Sequence, residues 1–364
     1  MASPVFISRP PPGFSLLAVL RGVQLTLLGG YRTLKNPELR EHGYYHKALK
    51  AVYYSVVVQL IVWAPLLALK YTLKAIAYIL GFESHGIESV IDVLGFLQNH
   101  VFNLGPVLIS VFRYFRPEID DLFMLSLKFV DQVYAKKHPG TKREFHRPLV
   151  EYERINWRDF KHEQSELSNS SSTSASTSQV KGTRKSLKQF MRSYMYRCAM
   201  SLAAYSLSGV PVMGRAVLPL MSFQSLNPVI GGPAAGTIAA AGLVVPRRYM
   251  VFFLSSFWGG RSLGRELLTP YFNRIPFSAQ AREQWYTNRE GILFGFGCWF
   301  FLLLRIPFIG VLVYGFAEAS SAYLLTKISD PPPPPTQLMQ WTDDQKLWTV
   351  KDQELAARFE NDGF

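Results

Sequence analysis

Two charged side chains inside the longest apolar stretch are the first candidates for chemistry. Residues 291–327 read GILFGFGCWFFLLLRIPFIGVLVYGFAEASSAYLLTK, and between their ends they carry one basic residue, Arg305, and one acidic residue, Glu318. An ionised carboxylate at membrane depth needs a partner, and such groups often mark ion or proton pathways. Glu318 is therefore a candidate intramembrane polar site, with Tyr314, Ser321 or an arginine as its partner. The alternative is a protonated or hydrogen-bonded structural acid.

Four arginines at the borders of apolar segments could bind an anion. Arg247, Arg248, Arg261 and Arg265 could gather a lipid headgroup or a small oxyanion, with Glu266 tempering their charge. The alternative is that they only orient the chain, because basic residues collect on the cytosolic side of membrane segments.

A histidine pair is the nearest approach to a metal site. His42 and His46 are four residues apart on a helix that Asn36-Pro37-Glu38 is expected to start. Two ligands rarely suffice for a metal, so solvated histidines are the alternative interpretation. Cys198 and Cys298 have neither disulfide nor metal-ligand spacing. We therefore expect no metal, no cofactor and no catalytic residue.

The elements that hold these residues must be broken helices. A straight helix over residues 292–326 would run about 50 Å, against a hydrocarbon core of about 30 Å. We predict a kink at Pro307 and Gly310, which makes a hairpin that enters and leaves the membrane on one side with Arg305 at its turn. The same pattern recurs at Pro211 and Gly214. Two such kinked hairpins suit either membrane anchors or the half-sites of a transporter.

Composition and charge agree with a membrane protein. The 364 residues are 48% hydrophobic, and the apolar residues cluster in long runs. The net charge of +13 accompanies no nucleic-acid-binding motif, so anionic lipid headgroups are the expected partner and nucleic acid is not. We predict an all-α integral membrane protein with transmembrane helices, proline-kinked helical hairpins and amphipathic interfacial helices.

The N-terminal half divides into three regions. Residues 1–36 hold an interfacial helix, Phe14–Leu28, that ends at Gly29-Gly30. Residues 37–137 hold a membrane part with a span at 51–69, followed by an amphipathic helix at Glu118–Lys137. Residues 138–197 form a basic, Ser-rich disordered linker, whose basic flanks place it in the cytosol.

The C-terminal half divides into two regions. Residues 198–329 form a second membrane part with the two proline-centred hairpins, and within it residues 259–290 are expected to be a polar connector. The small-residue run 234–245 could pack closely against another helix. Residues 330–364 form a polyproline and acidic tail with one short helix near 353–359.

Several segments carry a family resemblance. Arg289–Phe296 (REGILFGF), Tyr314–Ser320 (YGFAEAS), Leu20–Thr26 (LRGVQLT) and Arg261–Leu268 (RSLGRELL) resemble fungal transmembrane proteins of the UsgS type. More distantly, the proline-centred hairpins are similar to the etoposide-induced/CysZ class and to yeast membrane proteins of lipid droplets and the outer spore wall. The distant class includes sulfate permeation in bacteria and lipid-droplet or endoplasmic-reticulum roles in fungi and animals.

The resemblance and the residues together lead to one expected function and one runner-up. We expect a non-enzymatic integral membrane protein of the endoplasmic reticulum and lipid droplets that organises or associates with lipid. Spore or stationary-phase development is the setting that the resemblance suggests, and homo-oligomerisation stays open. The runner-up is a small-solute or anion transporter of the CysZ-like class, and a lipid-modifying enzyme comes third.

Overall fold

The described part of the chain is built from α-helices. The computed structural model describes residues 13–41, 118–139, 143–154, 214–245, 247–306 and 309–345, together with parts of 50–75. No strand occurs among these residues, which confirms the all-α class for them. The helices are α1 (Leu16–Leu34), α2 (Pro37–Glu41), α3 (Glu118–Lys137), α4 (His146–Arg154), α5 (Gly214–Ile230), α6 (Gly232–Val244), α7 (Arg247–Glu266), α8 (Thr269–Arg274), α9 (Ala279–Asn288), α10 (Glu290–Leu304), α11 (Gly310–Ile328) and α12 (Leu338–Asp344).

Helices α10 and α11 form an antiparallel pair at the centre. The first helix ends at Leu304 and the second begins at Gly310, so the apolar stretch breaks at the predicted place. The chain folds back there, so that the outer ends of the two helices meet. The Arg289 Nε at the start of α10 donates to the carbonyl of Ile328 at the end of α11, at 2.7 Å. Pro307 itself lies outside the described residues.

Helix α1 crosses this pair and departs from its predicted form. It continues through Gly29-Gly30 to Leu34, where the sequence predicted an end. A Cβ on Gly29 would lie 3.0 Å from the Ser320 carbonyl oxygen, and one on Gly22 would lie 2.2 Å from that of Ile292. The glycines therefore serve close backbone contact with α10 and α11 rather than helix termination. The predicted end of the helix at Gly29-Gly30 is therefore wrong, and its interfacial location stays a prediction.

Helix α7 packs along the other side of α10, again through glycines. Cβ atoms on Gly260 and Gly264 would lie 2.6 Å from the Cα of Cys298 and 2.4 Å from the Leu293 carbonyl oxygen. One on Gly297 would lie 2.2 Å from the Gly260 carbonyl oxygen. These glycines thus allow close backbone contact between α7 and α10.

The predicted polar connector at 259–290 is instead helical and partly buried. It comprises the second half of α7 with α8 and α9, and Leu267, Tyr271 and Trp285 are fully buried. The prediction counted its charges and missed that they pair with one another, which leaves the apolar residues between them free to pack.

The amphipathic helix Glu118–Lys137 is confirmed with the predicted bounds as α3. It buries Phe123, Leu127 and Val130 against α11, because these residues recur at helical spacing. The predicted helix start is also confirmed, since the Asn36 side chain accepts a hydrogen bond from the Glu38 amide at 3.0 Å.

Two segments outside the predicted membrane parts also join the core. Helix α4 lies in the predicted disordered linker, yet Phe145, Leu149 and Tyr152 are buried at a helical spacing. The predicted tail folds back as a 3₁₀ turn and α12, with Leu338 and Trp341 buried. The helix predicted near 353–359 lies outside the described residues.

A second helical hairpin, α5–α6, lies beside α7. Its turn is Gly231, whose φ of +84° suits glycine. Pro211 lies outside the described residues, and Gly214 is the first residue of α5. The small-residue run forms α6, but only its Ala235 is buried.

A helix that crosses a bilayer must be both long and apolar. None of the described helices is both long enough and apolar enough to cross a bilayer. The predicted span at 51–69 lies partly outside the described residues.

Candidate functional site

Arg305, at the turn between α10 and α11, has partners on two helices. Its guanidinium donates to the Ser255 hydroxyl of α7. It also lies over the rings of Phe252 and Phe301, with centroid distances of 4.5 and 5.3 Å. An arginine at an apolar turn needs such polar and aromatic partners. Arg305 therefore fastens the turn to α7.

Glu318, the second intramembrane candidate, is fully buried in α11. The two hydroxyls predicted to serve it bond to other groups as well. Tyr314 donates to the Glu266 carboxylate at 3.4 Å, and Ser321 donates to the carbonyls of Leu267 and Glu318 at 3.1 and 2.7 Å. The carboxylate thus lies on a polar stripe of α11 that faces the C-terminal end of α7.

Arg261 and Arg265, two of the four candidate anion-binding residues, converge on carboxylates of this chain. Arg261 pairs with Glu290, and Arg265 lies 3.7 Å from the same carboxylate. Arg265 also donates to both oxygens of Glu283, at 2.9 and 3.1 Å. An internal anion therefore occupies the position that a headgroup would take, and we call this group of four residues the charged end.

Arg247 and Arg248 belong to a different place. They start α7, whereas Arg261 lies fourteen residues further along the same helix. At 1.5 Å per residue the two places are about 21 Å apart. The expectation that all four arginines gather one anion needs correction, because a helix holds its two ends apart. Lipid binding by Arg247 and Arg248 stays a prediction.

A buried arginine that the sequence analysis did not single out closes the charged end. The Arg289 guanidinium donates to the carbonyls of Ile328, Trp285 and Gln345, at 2.7, 3.4 and 3.1 Å. It also lies 4.4 Å from the centroid of the Trp285 ring. These contacts join the start of α10 to the end of α11 and to the segment after α12. The four-residue spacing of Trp285 and Arg289 within a helical segment was the available signal.

A chain of side-chain hydrogen bonds extends this closure. Tyr271 and Ser329 share a hydrogen bond of 3.2 Å, Ser329 donates to Gln345 at 3.3 Å, and Gln345 donates to Asp330 at 2.9 Å. Burial raises the pKa of the Tyr271 phenol above its ordinary value, so the group stays protonated. These hydrogen bonds hold the folded-back tail against the rest of the bundle.

The opposite end of the α10–α11 pair exposes apolar side chains. They come from the last turns of α10, the turn itself, the first turn of α11 and the adjacent part of α7. We call this surface the apolar end, and it comprises Phe252, Phe253, Trp299, Leu302, Ile306, Ile309 and Leu312. Between Glu290 and Arg305, α10 carries no charged residue over about 20 Å. The bundle thus has its paired acidic and basic residues at one end, and at the other it exposes apolar side chains around Arg305, which is bound to α7.

The histidine pair and the cysteines are the remaining candidates. His42 and His46 lie outside the described residues, as does Cys198. Across the described ranges, no group of three or more His, Cys, Asp or Glu is placed to hold a metal ion. Within the described residues, the candidate site consists of charged side chains paired within the chain and of exposed apolar side chains.

A scan against protein-family models finds no matching family, and searches of curated proteins and of solved structures find no match to this chain.

Proposed function

We propose that this chain is a non-enzymatic membrane protein of the endoplasmic reticulum and lipid droplets that associates with lipid through its exposed apolar surface. The observation that carries the proposal is the polarity of the bundle, with the apolar end opposite the charged end. Apolar patches of this kind on a protein surface mark partner or membrane contacts. The assignment to endoplasmic reticulum and droplets rests on the resemblance of its hairpins to droplet proteins.

The way the helices meet supports a membrane setting. The contacts of α10 with α1 and α7 are made by glycines whose neighbours are backbone atoms. Small residues at helix contacts are typical of membrane proteins, where close backbone approach replaces the hydrophobic effect as the source of association.

The proposal is tested by following a fluorescently tagged full chain in fungal cells before and after oleate loading. We expect an endoplasmic-reticulum pattern that redistributes to droplets. Leu302→Asp places a charge on the apolar end, where a central Asp costs about 2.5–3.5 kcal/mol in membrane insertion. It should reduce the lipid-bound fraction strongly. Leu34→Asp makes the same change at an exposed position of α1 beside Lys35 and should have little effect. A diffuse wild-type signal, or equal behaviour of the two variants, would contradict the proposal.

A small-solute or anion transporter remains the second candidate, and one observation favours it. Glu318 is fully buried between apolar helices, and ionisable groups in such places often lie on transport pathways. The test is uptake of radioactive sulfate into proteoliposomes by wild type and Glu318→Gln. Uptake that the substitution abolishes would move the transporter ahead of lipid association.

A further inference from the structure

The α5–α6 hairpin has no charged residue between its two ends. Residues 216–246 lack Asp, Glu, Lys, Arg and His, and the stretch is bounded by Arg215 and Arg247. The helices are antiparallel around Gly231, since a Cβ on Gly242 would lie 3.6 Å from the Pro219 ring. Chain positions 215 and 247–248 therefore meet at the open end of the hairpin.

Most of this hairpin has little protein cover among the described residues. Leu220 is 70% exposed, Leu243 is 66% exposed and Val244 is 87% exposed. Its own core is small, with Leu226 and Ala235 packed against Phe257 of α7. Burying a side chain such as leucine is worth about 1.5–3 kcal/mol, so this surface is unfavourable in water.

The central α10–α11 pair is more covered by other helices than the α5–α6 hairpin is. That pair was the predicted membrane hairpin, yet α1, α3 and α7 cover much of it. Its buried residues include Phe296, Phe300, Ala317 and Ala322. The charge-free hairpin with exposed sides is α5–α6.

The charge around the open end has one sign. No Asp or Glu occurs between Glu166 and Glu266, whereas Arg215, Arg247 and Arg248 all fall within that interval. Arginines beside an apolar element attract anionic lipid headgroups, at about 1 kcal/mol for each residue near the surface. The charge pattern therefore complements phosphate and not a basic partner.

We infer that the α5–α6 hairpin is a second lipid-contacting element of this chain besides the apolar end, with its exposed sides against the acyl chains of a phospholipid leaflet and its open end at the level of anionic phosphates. The inference rests on the proposed lipid association and adds a second contact to it.

The first test measures the depth of single labels. In a Cys198→Ser/Cys298→Ser background, Leu243→Cys and Leu220→Cys carry an environment-sensitive fluorophore, and Gln280→Cys on α9 is the exposed control. The full chain is reconstituted into vesicles of phosphatidylcholine and phosphatidylserine. We expect acyl-chain nitroxide lipids to quench the labels at 243 and 220 at least twofold more than at 280, and iodide to show the reverse order.

The outcomes separate the inference from the proposed function. If the wild-type chain does not float with vesicles, the proposed function fails and the inference fails with it. If the chain floats but iodide quenches position 243 as strongly as position 280, lipid association stands and the hairpin is not its contact. A soluble protein that protects position 243 in pull-down experiments without vesicles would likewise overturn the inference.

The second test removes charge from the open end. Arg247→Gln/Arg248→Gln should weaken binding to vesicles with phosphatidylserine by about thirtyfold, since about 1 kcal/mol for each residue corresponds to about fivefold each. Binding to pure phosphatidylcholine vesicles should change little. The matched control, Lys136→Gln/Lys137→Gln, removes the same charge from the exposed end of α3 and should change neither. Equal losses in the two double variants would show a general charge effect and overturn the assignment of the open end.

Discussion

A pair of glycine substitutions tests how the bundle is held together. Gly22→Ala adds one methyl group where a Cβ would lie 2.2 Å from the Ile292 carbonyl oxygen and 2.8 Å from the Phe296 amide nitrogen. Ordinary contact begins near 3.4 Å, so α1 and α10 would have to separate by about 1 Å. Such overpacking costs about 1–3 kcal/mol, and here both obstructing atoms belong to the backbone.

Gly236→Ala is the matched control, because a Cβ there meets nothing within 4 Å. In a helix interior alanine is favoured over glycine by about 0.5–1 kcal/mol. The same chemical change is thus expected to destabilise at one site and to stabilise slightly at the other.

The assay is thermal unfolding of the purified full chain in detergent, followed by loss of the monodisperse peak in size-exclusion chromatography. Gly22→Ala should lower the midpoint by about 5 °C, and Gly236→Ala should leave it equal or slightly higher. If Gly22→Ala is tolerated as well as Gly236→Ala, the close contact of α1 with α10 is not part of the fold.

Three further predictions concern single residues. Arg289→Met removes hydrogen bonds to three carbonyls and should lower the free energy of unfolding by about 3 kcal/mol, with faster proteolysis of residues 331–345; a wild-type cleavage rate would contradict this. Glu318→Leu should leave protein abundance unchanged if the acid is functional and raise it if the acid is only tolerated, and a sharp loss of folded protein would instead indicate a structural network. Asn169, in a glycosylation sequon, should stay unmodified because its loop is predicted to be cytosolic, and a glycosidase-sensitive mass shift would reverse that topology.

The sequence predicted the elements that depend on local pattern. The bounds of α3 follow from its apolar period and its charged ends, and Asn36 caps α2 through its own side chain. The break before Gly310 follows from the arginine and proline at 305–307.

The elements that the sequence prediction missed depend on partners distant in the chain. In the sequence, Gly29-Gly30 is typical of a helix end. In the structure, the two glycines make room for Ser320 and Phe316 of α11. The segment at 259–290 was judged by its charges, but Glu290 neutralises Arg261 from another helix. Helix α4 is short and strongly polar, so its burial depends on the surface that the rest of the bundle supplies.

The candidate site was likewise predictable only where it depends on local sequence. Its position inside an apolar stretch made Arg305 a candidate, but only the packing of α7 against α10 identifies Ser255 as its partner. The separation of Arg247 from Arg261 follows from one uninterrupted helix, whereas the sequence predicted that a polar connector begins at residue 259.

Resistance to alkaline extraction tests the central proposal most directly. Membranes from cells that express the full chain are washed with carbonate at about pH 11, which strips proteins held by charge alone and leaves those held by apolar contact with lipid. The proposal predicts that the chain stays with the lipid fraction and floats with it in a density gradient. Quantitative release of the folded chain into the supernatant would contradict it.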